Sequence, residues 1–465
     1  MVVDEIVRSK AGLEGTLGLD GEFRGQVLAP GDRDYDHARR VHNAAADRHP
    51  AFIVRPTDAE DVALVVAHAR ETGLPLVVRA GGHSMANHST GDGALVLDLS
   101  AMRGIDIDAA GRTAWAEAGV LAGEYTAATH ALGFVTPFGD TGSVGVAGIT
   151  LGGGVGWLAR KHGMTIDSLL AVEIVTADGR RRIASAGEEP DLFWAVRGAG
   201  ANFGVVTRLR FRLHPLGNVL AGDILLPATR EVLRSLIPTL LAAPDELTAM
   251  PNIMLAPPDP AIPEEQRGRP VVYLSVAWSG SPDAGERALA PLRALGSPIN
   301  DTVAWKPYPD LFSPVDRDEV SSWGVSSRAL YVGFLDDATI DVIENRLTEP
   351  GAPGALVQLR VFGGEMARVP GDAAAFGWRD RAALMWIITP YEDLHRAAEH
   401  EAWTAAFRAE LPIGDTATYV NFMGAEDAEA VRGAYPAPTY ARLRELKRRF
   451  DPDNVFRANH NIPPG

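Results

Sequence analysis

The spacing of apolar residues changes character near residue 216 of this chain. Upstream of it, short apolar runs are punctuated by turn residues. Residues 51–55 alternate and predict a strand. Thr57-Asp58-Ala59-Glu60 fits a capping box, and the helix it opens carries Val62, Val65, Val66 and Ala69 on one face. Gly73 is placed to end that helix, and the apolar residues 74–78 predict a buried strand. Strand, capped helix and strand make a βαβ-like unit that delivers its following loop to one edge. Residues 35–43 read as a short helix and 95–99 as another strand. Hairpins are expected around Ala109-Ala110-Gly111 and Asp178-Gly179, a helix over 121–132 before Gly133, and a strand over 205–213.

Downstream, longer strands alternate with amphipathic helices. Helices are expected over 229–241, 281–295, 338–347 and 393–411, the second with Ser281 as cap and Pro282 in its first turn. Strands are expected over 271–278, 330–334, 355–362 and 383–388. This is an α+β pattern, one sheet with its helices segregated to a face. Residues 418–423 predict a final strand, and 440–450 a basic helix stopped by Asp451-Pro452.

Length and charge narrow the class. A chain of 465 residues has ample length for two or three domains. The net charge of -16 argues against nucleic acid or an anionic membrane as partner. No apolar run approaches membrane-spanning length, and the polar start MVVDEIVRSKAGLEG lacks a leader's apolar core, so a cytoplasmic protein is expected. Cysteine is absent, which excludes disulfides and thiolate metal sites, and no histidine–carboxylate cluster suggests a metal.

Two glycine-rich stretches carry the candidate chemistry. RAGGHSMANHSTGDG follows the strand at 74–78, and its backbone N–H groups can cup an anion; a tight turn with a loop histidine is the plainer reading. Residues 139–163 contain nine glycines in twenty-five, interleaved with Val144, Val146, Ile149, Leu151, Trp157 and Leu158, which want burial. That pattern suits a long ligand lying against backbone better than it suits a linker. Dinucleotide, P-loop, zinc-protease and hydrolase signatures are all missing.

Taken in order, R-x-G-G-H-S at 79–84, VGVAGITLGGGVGWLARKHG at 144–163, VEIVTADG at 172–179, DLFWAVRGAGANFGVVT at 191–207, YVNF at 419–422 and FDPDNVFRANHNI at 450–462 resemble one family. It is that of the FAD-linked oxidases of the vanillyl-alcohol oxidase fold, in the berberine-bridge-enzyme-like branch, with bacterial members most similar. The resemblance implies a two-lobed, PCMH-type FAD-binding fold with an antiparallel-sheet substrate-binding cap lobe. It divides the chain into a segment 1–44, an FAD lobe 45–215, a substrate lobe 216–411 and a C-terminal return 412–465. It also implies that His83 bonds to the flavin 8α carbon. Relatives can add a second bond from a cysteine, at a position matched here by Thr141, so a single 8α-histidyl link is expected.

Further roles follow from the same resemblance. Arg79, Ala80, Gly81, Gly82, Ser84 and Met85 are expected at the pyrophosphate, with Gly119, Thr141, Gly142, Val144, Gly145, Gly148, Gly152, Gly153 and Gly154 along the cofactor. Gly204 and Val206 are expected at adenine, and Asn421, Asn459 and Asn461 at the ring or ribityl chain. Any of the glycines also fits a simple tight turn. Tyr419 is expected to be the general base, on a strand whose alternation puts Asn421 on the same face. Arg379 or a second phenol such as Tyr308 would lower its pKa; a core tyrosine is the plainer reading. The expected reaction is hydride removal from a small organic alcohol, amine or activated C–H carbon to flavin N5, with O₂ reoxidising the flavin to give H₂O₂. A dehydrogenase with another acceptor, or a flavin-loaded binding protein, are the alternatives.

Overall fold

Four short strands open the fold: β1 (Gln26–Leu28), β2 (Phe52–Arg55), β3 (Leu76–Arg79) and β4 (Leu95–Asp98), ordered β1-β2-β4-β3. The computed structural model describes residues 23–317, 321–350, 352, 354–424 and 428–465; the polar start read above lies outside the described residues. β4 runs parallel to both β2 and β3, and helix α1 (Ala59–Thr72) makes the crossover between the latter two. The cap of α1 sits one residue later than the expected box. Asp58 accepts from the Asp61 N–H at 3.0 Å, and the Asp61 carboxylate takes the Thr57 N–H and hydroxyl, each at 2.9 Å. Asp61 is fully buried and needs those donors, whereas Glu60 is exposed to water.

A second, antiparallel sheet follows, from β5 (Ile105–Asp108), β6 (Thr113–Glu117), β7 (Leu169–Val175), β8 (Arg181–Ser185) and β9 (Val205–Arg212), ordered β5-β6-β9-β7-β8. Helices α2 (Ala122–His130), α3 (Val146–Gly152) and α4 (Pro190–Ala199) lie between its strands in sequence. The glycine-rich stretch is thus partly helical: it contains α3 and a single turn at Ala159–His162.

The cap is one antiparallel sheet of β10 (Asn218–Pro227), β11 (Leu247–Leu255), β12 (Pro270–Trp278), β13 (Gly324–Val332), β14 (Leu356–Val361) and β15 (Ala383–Tyr391), ordered β10-β12-β11-β14-β15-β13. Asn300–Asp301 and Ala304–Pro307 extend its β10 edge. Helices α5 (Arg230–Leu241), α6 (Pro282–Arg293), α7 (Asp337–Thr348) and α8 (Ala397–Glu410) cover one face, where Val357, Leu359, Met385 and Ile387 pack with Leu236, Ile340 and Phe407. β10 and β11 escape the sequence pattern. Gly222-Asp223 interrupts the first, and Pro251 sits inside the second, a residue normally kept to sheet edges. β13 begins earlier than expected because Ser326 and Ser327 disguise it, and it ends before the exposed Phe334.

Beyond the cap the chain returns to the first lobe through helix α9 (Ala437–Phe450). Leu443, Leu446, Phe456 and Ile462 join the cluster formed by both opening sheets, α1 and α4. No described helix is long and apolar enough to cross a membrane.

One buried cation anchors this return. Lys447, with no exposed side-chain surface, donates to the Asn202 carbonyl at 2.8 Å, Asp451 Oδ2 at 2.6 Å and the Phe456 carbonyl at 2.9 Å. Asp451 in turn accepts the Val455 and Phe456 N–H groups at 2.8 and 2.9 Å. Burial pulls the lysine down, and Asp451 opposes that pull. Lys447→Met strands the carboxylate, and we expect a loss of about 3–5 kcal/mol in unfolding free energy by chemical denaturation. A loss below about 1 kcal/mol would show that the tether is dispensable.

Candidate active site

The loop after β3 is pinned before it reaches the space between the lobes. Arg79 is buried and donates from Nη2 to Asp98 Oδ2 at 2.9 Å and to the Ala38 carbonyl at 2.7 Å. Arg55 reaches the same carboxylate oxygen at 2.9 Å. Burial works to raise the Asp98 carboxyl, but the two guanidiniums outweigh it and hold it below the usual range. The backbone then turns at Gly82, φ +73°, and crosses the second glycine loop. A Cβ on Gly81 would lie 2.3 Å from the Gly145 nitrogen, and one on Gly145 would lie 2.6 Å from the Gly81 nitrogen.

His83 follows at the wall of a cavity of about 490 Å³. Its ring stacks on His42, centroids 3.9 Å apart and planes at 20°. Burial first, and then His42, lower it to about 3, so the imidazole is neutral at any ordinary pH. On the same side His88 meets His460 edge to face at 4.7 Å. Burial lowers these two to about 4 and about 3, with His88 adding to the fall of His460.

Most of the expected cofactor residues share this wall. Ala80, Gly81, Gly82, Ser84 and Met85 line it beside His83. Thr141, Val144, Gly145, Gly148 and Gly152 continue it, and Gly204 and Val206 also line it. Tyr419, Asn421 and Asn459 enter from the C-terminal return.

Six expected residues lie behind the wall. Arg79 is committed to Asp98 and the sheet. Gly119 is packed so tightly that a Cβ would meet the Leu99 carbonyl at 2.1 Å, and the Gly142 carbonyl accepts the Gly123 N–H at 2.9 Å. Gly153 and Gly154 face Tyr419, and Asn461 sits beyond Asn459.

Tyr419 does not lie on a strand. It is extended, at φ −118° and ψ 119°, and a 3-10 turn, Val420–Phe422, follows it. The turn replaces a ladder because Phe422 N–H bonds back to the Tyr419 carbonyl at 3.0 Å, and Thr418 Oγ1 bonds to the Ala329 carbonyl at 2.9 Å. Asn421 still meets Tyr419: its Nδ2 donates to Tyr419 Oη at 2.9 Å and to the Ile149 carbonyl at 3.0 Å. The Gly154 N–H donates to the same phenol oxygen at 2.8 Å. A Cβ on Gly152 would fall 2.0 Å from Asn421 Oδ1, so the glycine run makes room for this pair. Burial pushes the phenol up to about 12, while Gly154, Asn421 and the charge of Arg360 oppose the rise.

The nearby cation is therefore Arg360, not Arg379. Arg379 is held by Asp167 through two bonds of 2.7 and 2.8 Å. Tyr308 packs in a different apolar cluster, and the phenol electrostatically coupled to Tyr419 is Tyr331. Sequence reading also passed over His42, Asp140, Gln358 and His460 as wall residues, and at strand spacing Trp386 reads as core sooner than as a substrate platform. The single residue Asp140 follows Gly139 in the glycine loop, and its place beside a cap arginine has no local signature.

A flavin dinucleotide fits these surroundings. The cavity is lined in large part by glycine backbone, His83 among its lining residues is a neutral imidazole, and the lining Asn459 has a buried Oδ1 with no protein partner among the described residues. Among the described residues no group of three metal-binding side chains occurs. These features define a flavin-dependent oxidoreductase with a capped site. Residues 50–185 match the FAD binding domain family, and residues 418–463 match the berberine and berberine-like family. The (R)-6-hydroxynicotine oxidase of Paenarthrobacter nicotinovorans is 32% identical over 463 residues, covering 95% of this chain and 97% of that protein. The solved 6-hydroxy-D-nicotine oxidase of Arthrobacter nicotinovorans superposes with a TM-score of 0.82 at 29% identity, over 95% of this chain and 98% of its own. BBE-like 1 of Physcomitrella patens shares the fold at a TM-score of 0.85 and 24% identity, over 97% of this chain and 99% of its own. The chain belongs to the berberine-bridge-enzyme-like branch of the FAD-linked oxidases with the vanillyl-alcohol oxidase fold.

Proposed function

We propose that this enzyme is an oxidase that removes a hydride from a hydroxyl- or amine-bearing carbon of a small organic substrate, with Tyr419 as base and FAD held by one covalent bond to His83. Two-electron chemistry comes from FAD: hydride acceptance at N5 and reoxidation by O₂ with release of H₂O₂. In this reading the FAD lobe comprises residues 45–215 with the return 412–465, and the cap, 216–411, closes over the substrate. His83 offers the nucleophilic, uncharged form that alkylation requires. The chain has no cysteine, so a thioether is chemically excluded.

The observation that carries the reading is the pair of N–H donors on the Tyr419 oxygen. Both accept no proton from the phenol, so its own hydrogen is left for a group in the cavity. The same two donors stabilise the phenolate that a base must become, and Arg360 adds its charge. Neighbouring apolar side chains, Phe376 at 5.8 Å and Phe422 at 5.1 Å, keep water from competing.

Four outcomes are expected. Acid precipitation leaves the yellow colour on the protein, and peptide mapping finds one flavin bond, at the peptide containing His83; colour released to the supernatant overturns the attachment. Tyr419→Phe retains flavin but slows anaerobic flavin reduction about 10²–10⁴-fold. Because the phenol titrates near 12, it is protonated at neutral pH, and the wild-type reduction rate rises with pH by up to about tenfold per unit, a rise that the variant loses. Finally, reduced enzyme mixed with air-saturated buffer reoxidises within seconds; if it stays reduced for minutes, another electron acceptor takes the place of O₂.

A further inference from the structure

Gln358 and Trp386 stand directly opposite each other across the β14–β15 pair. Alternation puts both on the sheet face turned away from the covering helices, and both line the cavity. The indole stacks on Phe422, centroids 4.0 Å apart and planes at 8°. Its Nε1 donates to Ser327 Oγ at 2.6 Å, and that hydroxyl donates to the Phe422 carbonyl at 2.6 Å. Phe422 meets the Tyr419 ring edge to face at 5.1 Å. Trp386 stacked on Phe422, with Phe422 edge to face on Tyr419, therefore forms a locked aromatic wall that runs up to the phenol.

The polar groups beside the wall are as firmly held. Gln358 Oε1 accepts from Arg360 Nε at 2.8 Å, and Gln358 Nε2 donates to Asn252 Oδ1 at 2.8 Å. One amide N–H and one lone pair of Gln358 remain for a ligand. Arg360 is 3% exposed; its Nη1 goes to the Val155 carbonyl at 3.0 Å and its Nη2 to Asp140 at 2.7 Å. Asp140 is the only carboxylate among the described lining residues, so this pair leaves no charge over. An ammonium or carboxylate brought to this wall would lose water without gaining a counter-charge. A sugar would leave most of its hydroxyls unpaired against Trp386, Phe422 and Val155.

We propose that the substrate is an uncharged aromatic alcohol, stacked on the Trp386–Phe422 wall, oriented by the Gln358 amide, with its hydroxyl at Tyr419. This rests on the oxidase reading above for the role of Tyr419, but the binding surface can be tested without turnover. The flavin-loaded enzyme is titrated anaerobically with 4-methoxybenzyl alcohol, 4-methoxybenzylammonium, 4-methoxybenzoate and cellobiose, and binding is read from the perturbed flavin absorbance. The alcohol is expected to bind at least about tenfold tighter than either ion or the sugar. Trp386→Leu and Gln358→Leu each weaken the alcohol about tenfold without changing flavin content. Gln358→Glu puts a second carboxylate on Arg360 beside Asp140, leaves the cluster one negative charge in excess, and moves the preference toward the ammonium by about tenfold. Equal or tighter binding of an ion or of cellobiose by the wild type overturns the proposal, as does a failure of the alcohol to bind at millimolar concentration. If the alcohol binds but the flavin is not reduced, the oxidase reading fails and the binding assignment stands.

Discussion

Two backbones pass within touching distance where Gly81 meets Gly145, and the site exists because neither residue has a side chain. Had either carried a Cβ, the loops would be forced apart by more than rotamer adjustment can absorb. The crossing sets His83 on one flank and α3 on the other. The run Gly152-Gly153-Gly154 repeats the device for a third segment, letting Tyr419 and Asn421 lie against backbone. Glycine is a flexible residue, so such contacts need external clamps. Arg79 and Arg55 on Asp98 clamp the first loop, and Lys447 clamps the return.

A second theme is the exclusion of charge. The chain carries a net charge of -16, yet the described cavity wall shows one carboxylate, and a buried arginine cancels it. His83, His88 and His460 are neutral because they are buried. In a site so poor in ions, each remaining dipole acts at low effective dielectric. The Gly154 N–H and the Asn421 amide therefore influence Tyr419 more than the same groups would in water.

What could be seen in the sequence divides along physical lines. The α1 helix, its stop at Gly73 and the hairpin turning at Asp178-Gly179 are local features, coded by caps, glycine and alternation. The density of glycine around 139–163 marked a close approach without saying to what. The segment at Tyr419 misled, since its alternation is that of a strand while its hydrogen bonds go to Ile149, Gly154 and Ala329, all remote in sequence. β11 was hidden by Pro251, which only a tertiary setting tolerates. Arg360, Asp140, Gln358 and His42 carry no local signal because each earns its place through a partner on another element.

The Lys447 tether also sets an order of events. A growing chain acquires the cradle and Asn202 early, the cap next and Tyr419 late, but the tether to Asn202 needs Lys447, Asp451 and Phe456, which are made later still. Until Phe456 has emerged, the first lobe lacks the anchor of its C-terminal return. The tether is thus among the last long-range contacts that synthesis allows, and the return that carries Tyr419 is fixed only after the cradle and the cap exist.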